Sequence, residues 1–448
     1  TSDVVGECAQ AGPEELERAV EAAVRGFEAT RRFSSAARSE LLRKTAEGLA
    51  RRRDEVARTI TAENAKTIKL SRIEVDRAVA TFTAAAEEAR RIGGEVLPLD
   101  LYRGGERRFG MTRRFPLGPI LAISPFNFPL NLVAHKVAPA LAAGNSVVLK
   151  PASATPLTAL LLGEILQEAG APAGALNVVP CAGADAERLV ADDRFKLLSF
   201  TGSPAVGWSL KAKAGRKRVV LELGGNAAAV VHDDADAAAA AERCANGAFA
   251  YSGQICISVQ RIYVQERIAD VFSRELVRRA EALVLGDPFD EATDLGPMID
   301  DAAAARTEAW VDEAVRGGAR VLCGGRREGR FFRPTVLENV APAMKVHCAE
   351  VFAPVVNLYR YGGFEEALAA VNDSAFGLQA GIFTRDLGRV VKAYETLEVG
   401  AVLINEAPTW RLDTMPYGGE KESGLGREGV RYAIEEMTQL RLMAVNPG

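Results

Sequence analysis

Apolar positions in the first part of the chain recur at the spacing of amphipathic helices. Val20, Ala23, Val24 and Phe27 mark one stretch, Leu41, Leu42 and Leu49 a second, and Val75, Val79, Phe82 and Ala86 a third. Gly93 and Gly94 close this helical region, and the Arg, Glu and Lys residues between its apolar positions read as a solvated face. Over 108–115 the pattern changes to alternation, which predicts a strand or hairpin outside the main core. Short continuous apolar runs then occur at 119–124, 146–150, 176–180, 196–200 and 218–223, separated by helical stretches near 131–142, 156–169, 184–191 and 203–213. This rhythm predicts a doubly wound parallel sheet. A second αβ set starts near Asn226, with a helix over 235–250, a strand over 260–265, a helix over 266–284, and strands near 319–322, 354–360 and 400–404. The boundary between the sets is a change of composition between Glu222 and Asn226, without a Pro- or Ser-rich linker. Two halves that pack closely around a cleft are the expectation.

A chain of 448 residues has room for two or three domains with full cores. Hydrophobic residues make up 48%, charged residues 25%, and the formal net charge is -4, so no strong field calls for nucleic acid or an anionic membrane. No apolar run reaches membrane length, and the first residues are polar and acidic rather than signal-like, which predicts a cytoplasmic protein. Cys8, Cys181, Cys244, Cys256, Cys323 and Cys348 form neither a CxxC pair nor a zinc-ligand spacing, so free thiols in a reducing compartment and no metal centre are expected.

Chemistry enters at Cys256, which follows the turn residue Gly253 and precedes an apolar run. A thiolate is the strongest side-chain nucleophile near neutral pH, although an unpaired cysteine more commonly packs as a small hydrophobe. Thirty-four residues upstream, the apolar segment 218–223 carries one carboxylate, Glu222, and runs into Gly224-Gly225. A buried acid there would have a raised pKa and serve as a general base, whereas a solvated strand-end glutamate would do nothing; spacing alone favours neither. Only His135, His232 and His347 are present, none beside a nucleophile-like motif, so a carboxylate is the better partner for the cysteine. Asn127, Lys150, Gly202-Ser203 and Glu222 fall at or just beyond strand carboxyl ends, where doubly wound sheets bind ligands. No GxGxxG follows the first strand; instead Gly202 to Gly207 opens a helix whose N-terminus suits a pyrophosphate.

Leu221-Glu222-Leu223-Gly224-Gly225 and Gly253-Gln254-Ile255-Cys256 resemble the two signature segments of the NAD(P)-dependent aldehyde dehydrogenase superfamily. Ser124-Pro125-Phe126-Asn127-Phe128-Pro129, Lys150-Pro151-Ala152-Ser153, Phe200-Thr201-Gly202-Ser203, Glu350-Val351-Phe352-Ala353-Pro354 and Pro416-Tyr417-Gly418-Gly419 extend the resemblance, in the family's order, from about residue 115 to 430. The resemblance implies an α/β, aldehyde dehydrogenase-like fold: two doubly wound open-sheet domains with a small oligomerisation hairpin. Residues 1–97 and 117–225 would form the cofactor-binding domain and 226–412 the catalytic domain. Segments 98–116 and 430–448 would be oligomerisation elements of a homodimer or homotetramer, although 108–115 equally suits a local edge strand.

It further implies that Cys256 attacks a small aldehyde, that the Asn127 amide and the Cys256 N–H hold the oxyanion, and that Glu222 activates the water that hydrolyses the thioester. Lys150 and Ser153 would meet the adenosine ribose of NAD or NADP, Gly202 and Ser203 the pyrophosphate, and Glu350 and Phe352 the nicotinamide ribose, with Ser124, Pro125, Phe126, Ala152, Phe200 and Leu223 completing that site. Phe128, Asn131, Leu132, His135, Ile255, Ile257, Thr409, Trp410 and Tyr417 would surround the aldehyde. Two rival readings are a CoA-acylating enzyme, which generally lacks the base, and a non-catalytic protein of the same fold. Ala407-Pro408-Thr409-Trp410-Arg411 and Met415-Pro416-Tyr417 are similar to lactaldehyde and phosphonoacetaldehyde dehydrogenases; Arg411 is either an anion partner or a surface arginine. Relatives restricted to NAD often carry glutamate where Ser153 stands, so NADP is expected to be accepted.

Overall fold

The computed structural model describes residues 4–447. Four helices open the chain: α1 (Pro13–Thr30), α2 (Ser35–Arg51), α3 (Arg53–Asn64) and α4 (Ile68–Glu88). Two strands follow, β1 (Val96–Pro98) and β2 (Phe109–Pro116), and then the alternating set β3 (Ile120–Ile123), α5 (Asn131–Ala143), β4 (Val147–Lys150), α6 (Leu157–Glu168), β5 (Leu176–Val178), α7 (Gly183–Ala191), β6 (Leu197–Thr201), α8 (Pro204–Lys213) and β7 (Arg218–Glu222). The second set begins with β8 (Ala227–Val231), α9 (Ala237–Phe249), β9 (Val259–Gln265), α10 (Ala269–Glu281), α11 (Asp301–Arg316), β10 (Arg320–Cys323), β11 (Arg327–Glu328), β12 (Phe331–Phe332) and β13 (Thr335–Glu338). It continues through α12 (Lys345–Cys348), β14 (Val355–Tyr361), α13 (Phe364–Asn372), β15 (Phe376–Gly377), β16 (Gln379–Phe383), α14 (Leu387–Thr396) and β17 (Ala401–Ile404). The last elements are β18 (Glu420–Lys421), β19 (Gly424–Leu425), α15 (Val430–Glu436) and β20 (Thr438–Val445).

The first large sheet has the order β19-β7-β6-β3-β4-β5, parallel except for β19. The chain starts at β3, winds outward through β4 and β5, then returns to β6 on the other side of β3. The strand order therefore reverses between β3 and β6, and a crevice opens beyond their carboxyl ends. The second sheet has the order β10-β13-β14-β9-β8-β16-β17 and reverses between β8 and β16, so the winding of two open sheets expected from the sequence is present. A third, small sheet joins β1, β2 and β20, with β2 and β20 paired over eight positions from Phe109↔Val445 to Pro116↔Thr438.

Each strand of the first sheet from β3 to β4 and at β6 is buried on both faces, which is why it reads as an uninterrupted apolar run. One face packs on α2, α4, α5 and α6, where Leu42, Leu49, Phe82, Val133 and Leu149 are fully buried. Two readings change here. Val430 and Ile434 of α15, with Met437 just past its end, belong to this core, so among the described residues from 430 onward only β20 contributes to the small sheet. The charged positions of the amino-terminal helices are also not uniformly solvated, because Lys66 and Glu74 are each 1% exposed.

Those two residues form a buried ion pair that links the helices to the site. Glu74 Oε1 accepts the N–H groups of Leu130 and Asn131 at 2.9 and 3.1 Å, so a carboxylate sits at the amino end of α5. Glu74 Oε2 accepts from Lys66 Nζ, which also donates to the Asn127 carbonyl at 2.7 Å. Burial acts to lower the Lys66 ammonium pKa, and Glu74 opposes it. Breaking a buried pair leaves one charge unmatched and costs about 3–5 kcal/mol. Glu74→Gln keeps an acceptor for the two amides but strands the Lys66 charge, so the urea midpoint should fall by the equivalent of about 3 kcal/mol or more. An unchanged midpoint would show that the pair is not held as ions.

Candidate active site

The loop after β3 and the loop before β9 meet in the cleft. Residues 250–253 form a tight turn in which Tyr251, Ser252 and Gly253 all take left-handed backbone angles, with φ of 49°, 53° and 67°. Two non-glycine residues in that region are strained, and their side chains hold them there: the Tyr251 hydroxyl donates to the Asn64 carbonyl at 3.1 Å and Ser252 Oγ to the Gly296 carbonyl at 2.7 Å. Gly253 has no alternative, since a Cβ would lie 2.1 Å from the Ala353 carbonyl oxygen. The turn delivers Cys256 to the floor of the cleft. Across from it runs the pair Gly224-Gly225: a Cβ on Gly225 would lie 2.1 Å from the Cys256 carbonyl oxygen, and one on Gly224 would lie 2.6 Å from Glu350 Oε2. The glycines let two backbones and a carboxylate pack where side chains would separate them.

Cys256 is half-buried, its sulfur 3.2 Å from the Tyr417 hydroxyl. Burial pushes its thiol up to about 12, against the opposing hydrogen bond from Tyr417. Asn127 Nδ2 donates one hydrogen to the Gln254 carbonyl at 3.0 Å, while its Oδ1 is buried without a partner among the described residues. Among the described residues the second amide hydrogen has no acceptor, and no backbone acceptor engages the Cys256 N–H. Glu222, at the end of β7, is 3% exposed, and neither carboxylate oxygen has a partner among the described residues. Burial, and then the nearby Glu428 carboxylate, raise its pKa well above the usual value. The buried reading of this residue holds.

Glu428 is kept ionised by contrast. Lys136 Nζ lies 3.0 Å from one of its oxygens and Arg411 Nη2 3.4 Å from the other, which together with His135 hold its carboxyl low although burial works to raise it. Lys136 also donates to Thr201 Oγ1 at 2.6 Å. A second cluster lies alongside. Arg77 grips Asp413 through both carboxylate oxygens at 2.7 and 3.1 Å, and Asp413 Oδ1 also contacts Asn131 Nδ2 at 3.1 Å and His135 Nε2 at 2.8 Å. Burial favours protonation of Asp413, but His135 and Arg77 hold its carboxyl far below the carboxylate range.

Two cavities meet at this floor. One, of about 580 Å³, runs over the carboxyl ends of β3, β4 and β6 and is lined by Ser124, Pro125, Phe126, Asn127, Lys150, Ala152, Ser153, Phe200, Gly202, Ser203, Leu223, Glu350 and Phe352. All the residues assigned to NAD or NADP from the sequence are thereby brought to one surface. The cavity suits such a group: Ser124 Oγ is buried there with no partner among the described residues, and α8 starts at Ser203 with Pro204 as its first residue, leaving amide N–H groups toward the cavity. Glu350, pushed up to about 7 by burial, accepts from the Gly225 N–H at 2.9 Å. Gly183, Glu187, Val206 and Arg306 also line it and carried no sequence signal; Glu187 is paired with Lys213 at 2.6 Å.

The other cavity, of about 480 Å³, is lined by Phe128, Asn131, Leu132, Ile255, Ile257, Thr409, Trp410 and Tyr417, together with Glu222. Cys256, Leu132 and Thr201 line both cavities. His135 is the exception among the residues assigned to the aldehyde. It lies fully buried behind the wall, turned toward Asp413, because a strong acceptor there gives its ring a partner that the cavity does not. Lys66, Glu74, Arg77, Arg243 and Glu406 also face this cavity and were missed, since helix-borne charges look like solvated ones in a sequence. Arg411 is no surface arginine: its side chain is 6% exposed, its guanidinium carbon lies 3.6 Å from the centre of the Tyr417 ring, and its Nε has no partner among the described residues.

A family model described as the aldehyde dehydrogenase family matches residues 1–443. The chain is similar to 3-sulfolactaldehyde dehydrogenase of Priestia aryabhattai, 47% identical over 447 residues that span 100% of this chain and 93% of that protein. Among solved structures, aldehyde dehydrogenase 21 of Physcomitrella patens, in complex with the reaction product succinate, is similar with a TM-score of 0.97 and 46% identity, covering 99% of this chain and 92% of that one. Glyceraldehyde-3-phosphate dehydrogenase of Methanocaldococcus jannaschii, complexed with NADP, has a TM-score of 0.95 and 38% identity over 99% and 96% of the two chains. Two reversing sheets, a thiol where two cavities join and an unpartnered buried carboxylate beside it, matched along nearly the whole length, place this chain in the aldehyde dehydrogenase family, as an oxidoreductase acting on the aldehyde group with NAD or NADP as acceptor.

Proposed function

We propose that the enzyme oxidises a small aldehyde bearing an anionic group to the carboxylic acid, with Cys256 as nucleophile and Glu222 as the base for hydrolysis. The observation that carries the anionic preference is Arg411 in the wall of the aldehyde cavity, whose Nε has no partner among the described residues, whereas Lys66, Arg77 and Arg243 beside it are already paired with Glu74, Asp413 and Glu406. A charged guanidinium buried with a free donor favours an anionic oxygen by a charge-assisted hydrogen bond. The sulfonate, carboxylate and phosphate in the names of the similar proteins support the same class.

Cys256 Sγ adds to the aldehyde carbon, and the developing oxyanion is met by the second amide hydrogen of Asn127 and the Cys256 N–H. The bound cofactor supplies the acceptor for the hydride that leaves this carbon. Its adenosine end would lie by Lys150 and Ser153, its pyrophosphate by Gly202 and Ser203, and its nicotinamide end by Glu350 and Phe352, within the first cavity. Glu222, ionised, then takes a proton from the water that attacks the thioester, releasing the acid and the thiolate. An unpartnered buried carboxylate beside the thiol favours hydrolysis over transfer to CoA. The small sheet carries exposed Leu440, Leu442 and Met443 on β20, which supports a role in joining subunits of a homodimer or homotetramer. The six free cysteines support a reducing, cytoplasmic setting; no described helix is long and apolar enough to cross a membrane.

In a panel of neutral and anionic aldehydes of equal length, kcat/KM should favour the anionic members by roughly tenfold or more, about 1.4 kcal/mol for one charge-assisted contact. Equal values for both classes would remove the anionic preference while leaving dehydrogenation intact. Pre-steady-state kinetics divides the steps: Cys256→Ala should show no reduced cofactor formation with cofactor binding retained, and Glu222→Gln should give a burst followed by slow turnover. Because Glu222 is raised by burial, its ionised form appears only above the ordinary carboxylate range, so deacylation in the native enzyme should rise with pH through that higher window and the rise should be absent in the Gln variant. Ser153, exposed at the rim of the first cavity, presents a hydroxyl near Lys150 where a carboxylate would repel a 2′-phosphate. Ser153→Glu should shift the NADP to NAD ratio of kcat/KM toward NAD by roughly tenfold, a penalty of about 1–3 kcal/mol. An unchanged ratio would locate the choice elsewhere in the cavity.

A further inference from the structure

The Tyr417 hydroxyl is 3.2 Å from Cys256 Sγ, and this is its one hydrogen-bond contact among the described residues. The ring is 4% exposed, packed with Ile257 and Leu378, and its backbone is fixed by paired hydrogen bonds with Glu428 at 3.0 and 2.6 Å. Arg411 lies over it, the guanidinium carbon 3.6 Å from the ring centre. Arg411 is anchored in turn by Glu428, which Lys136 holds from the other side. A chain of contacts therefore runs from two buried cations through an aromatic face to the reacting sulfur.

From this geometry we infer that Tyr417 is a catalytic residue that donates its hydroxyl hydrogen to the Cys256 thiolate, with Arg411 as a positioning residue that strengthens the donor by drawing on the ring. The inference rests on Cys256 being the nucleophile. A thiolate accepts hydrogen bonds and a thiol is a poor acceptor, so the contact stabilises the reactive form selectively. Burial raises the Tyr417 hydroxyl well above its usual range, which keeps the hydrogen on oxygen and the group in its donating form. A cation on the ring face polarises the hydroxyl without removing its proton. Asn127 and the Cys256 N–H face the oxyanion and leave the sulfur itself without another polar side chain within hydrogen-bond reach among the described residues. Tyr417 fills that place.

Tyr417→Phe keeps the ring and the Arg411 stack and deletes only the hydroxyl. Iodoacetamide alkylation of Cys256 in the intact enzyme, followed as a function of pH on the Cys256 peptide by mass spectrometry, should move to higher pH by about one unit, a tenfold smaller thiolate fraction at a fixed pH below the midpoint. Single-turnover formation of reduced cofactor should slow roughly tenfold, with the cofactor Kd unchanged. Arg411→Lys, which keeps the charge but not the guanidinium, should move the alkylation profile the same way by a smaller amount. An unshifted or downward-shifted profile in Tyr417→Phe overturns the assignment. Failure of the nucleophile reading would instead appear as turnover retained in Cys256→Ala, which leaves the Tyr417 measurement a separate result.

Discussion

The structure depends on the burial of one carboxylate without a partner. Glu222 costs free energy in its ionised form, and the fold meets that cost by letting the group go neutral rather than by giving it a cation. The nearby cations are directed elsewhere: Lys136 and Arg411 to Glu428, Arg427 to Glu420. Two neighbouring carboxylates are thus pushed in opposite directions, Glu428 down toward the anion by its cations and Glu222 up toward the neutral acid by burial. The elements that achieve this come from α5, the end of β7 and the segment around β19, which is why the chain returns to the first sheet after completing the second.

Much of this organisation is legible in the sequence where the physical signal is local. The strands of the first sheet are doubly buried, so each is an unbroken apolar run, and the ligand-facing residues follow at fixed offsets past their ends: Asn127 after β3, Lys150 at the end of β4, Gly202 after β6. Strand β8 carries a weaker mark, because Ala227-Ala228-Ala229 resembles the alanine-rich helix that follows it. The short β13 and β16 were likewise lost among turns. The aldehyde wall was only half visible. Its aromatic and small residues lie in the motifs, but Lys66, Glu74 and Arg77 sit on or beside helices at spacings that look solvated, and only tertiary packing shows them buried or turned inward. His135 shows the converse limit: its position in the motif segment is right, but its ring turns to Asp413, a partner 278 residues away.

Backbone geometry sets the other limit on what may stand here. The turn at Tyr251-Ser252-Gly253 is held by hydrogen bonds to Asn64 and Gly296, from opposite sides of Cys256 in the sequence. Cys256 is therefore placed by contacts with both the end of α3 and the segment between α10 and α11, so a shift between these two regions would reach the sulfur directly.

The two cavities share Cys256, Leu132 and Thr201 and, among the described residues, no other lining residue. Exposed Ser153 and Val206 border the first cavity, and exposed Ile73 and Trp410 border the second. Whatever fills one cavity can touch an occupant of the other only across this shared floor, so the sulfur stands where two otherwise separate volumes become one.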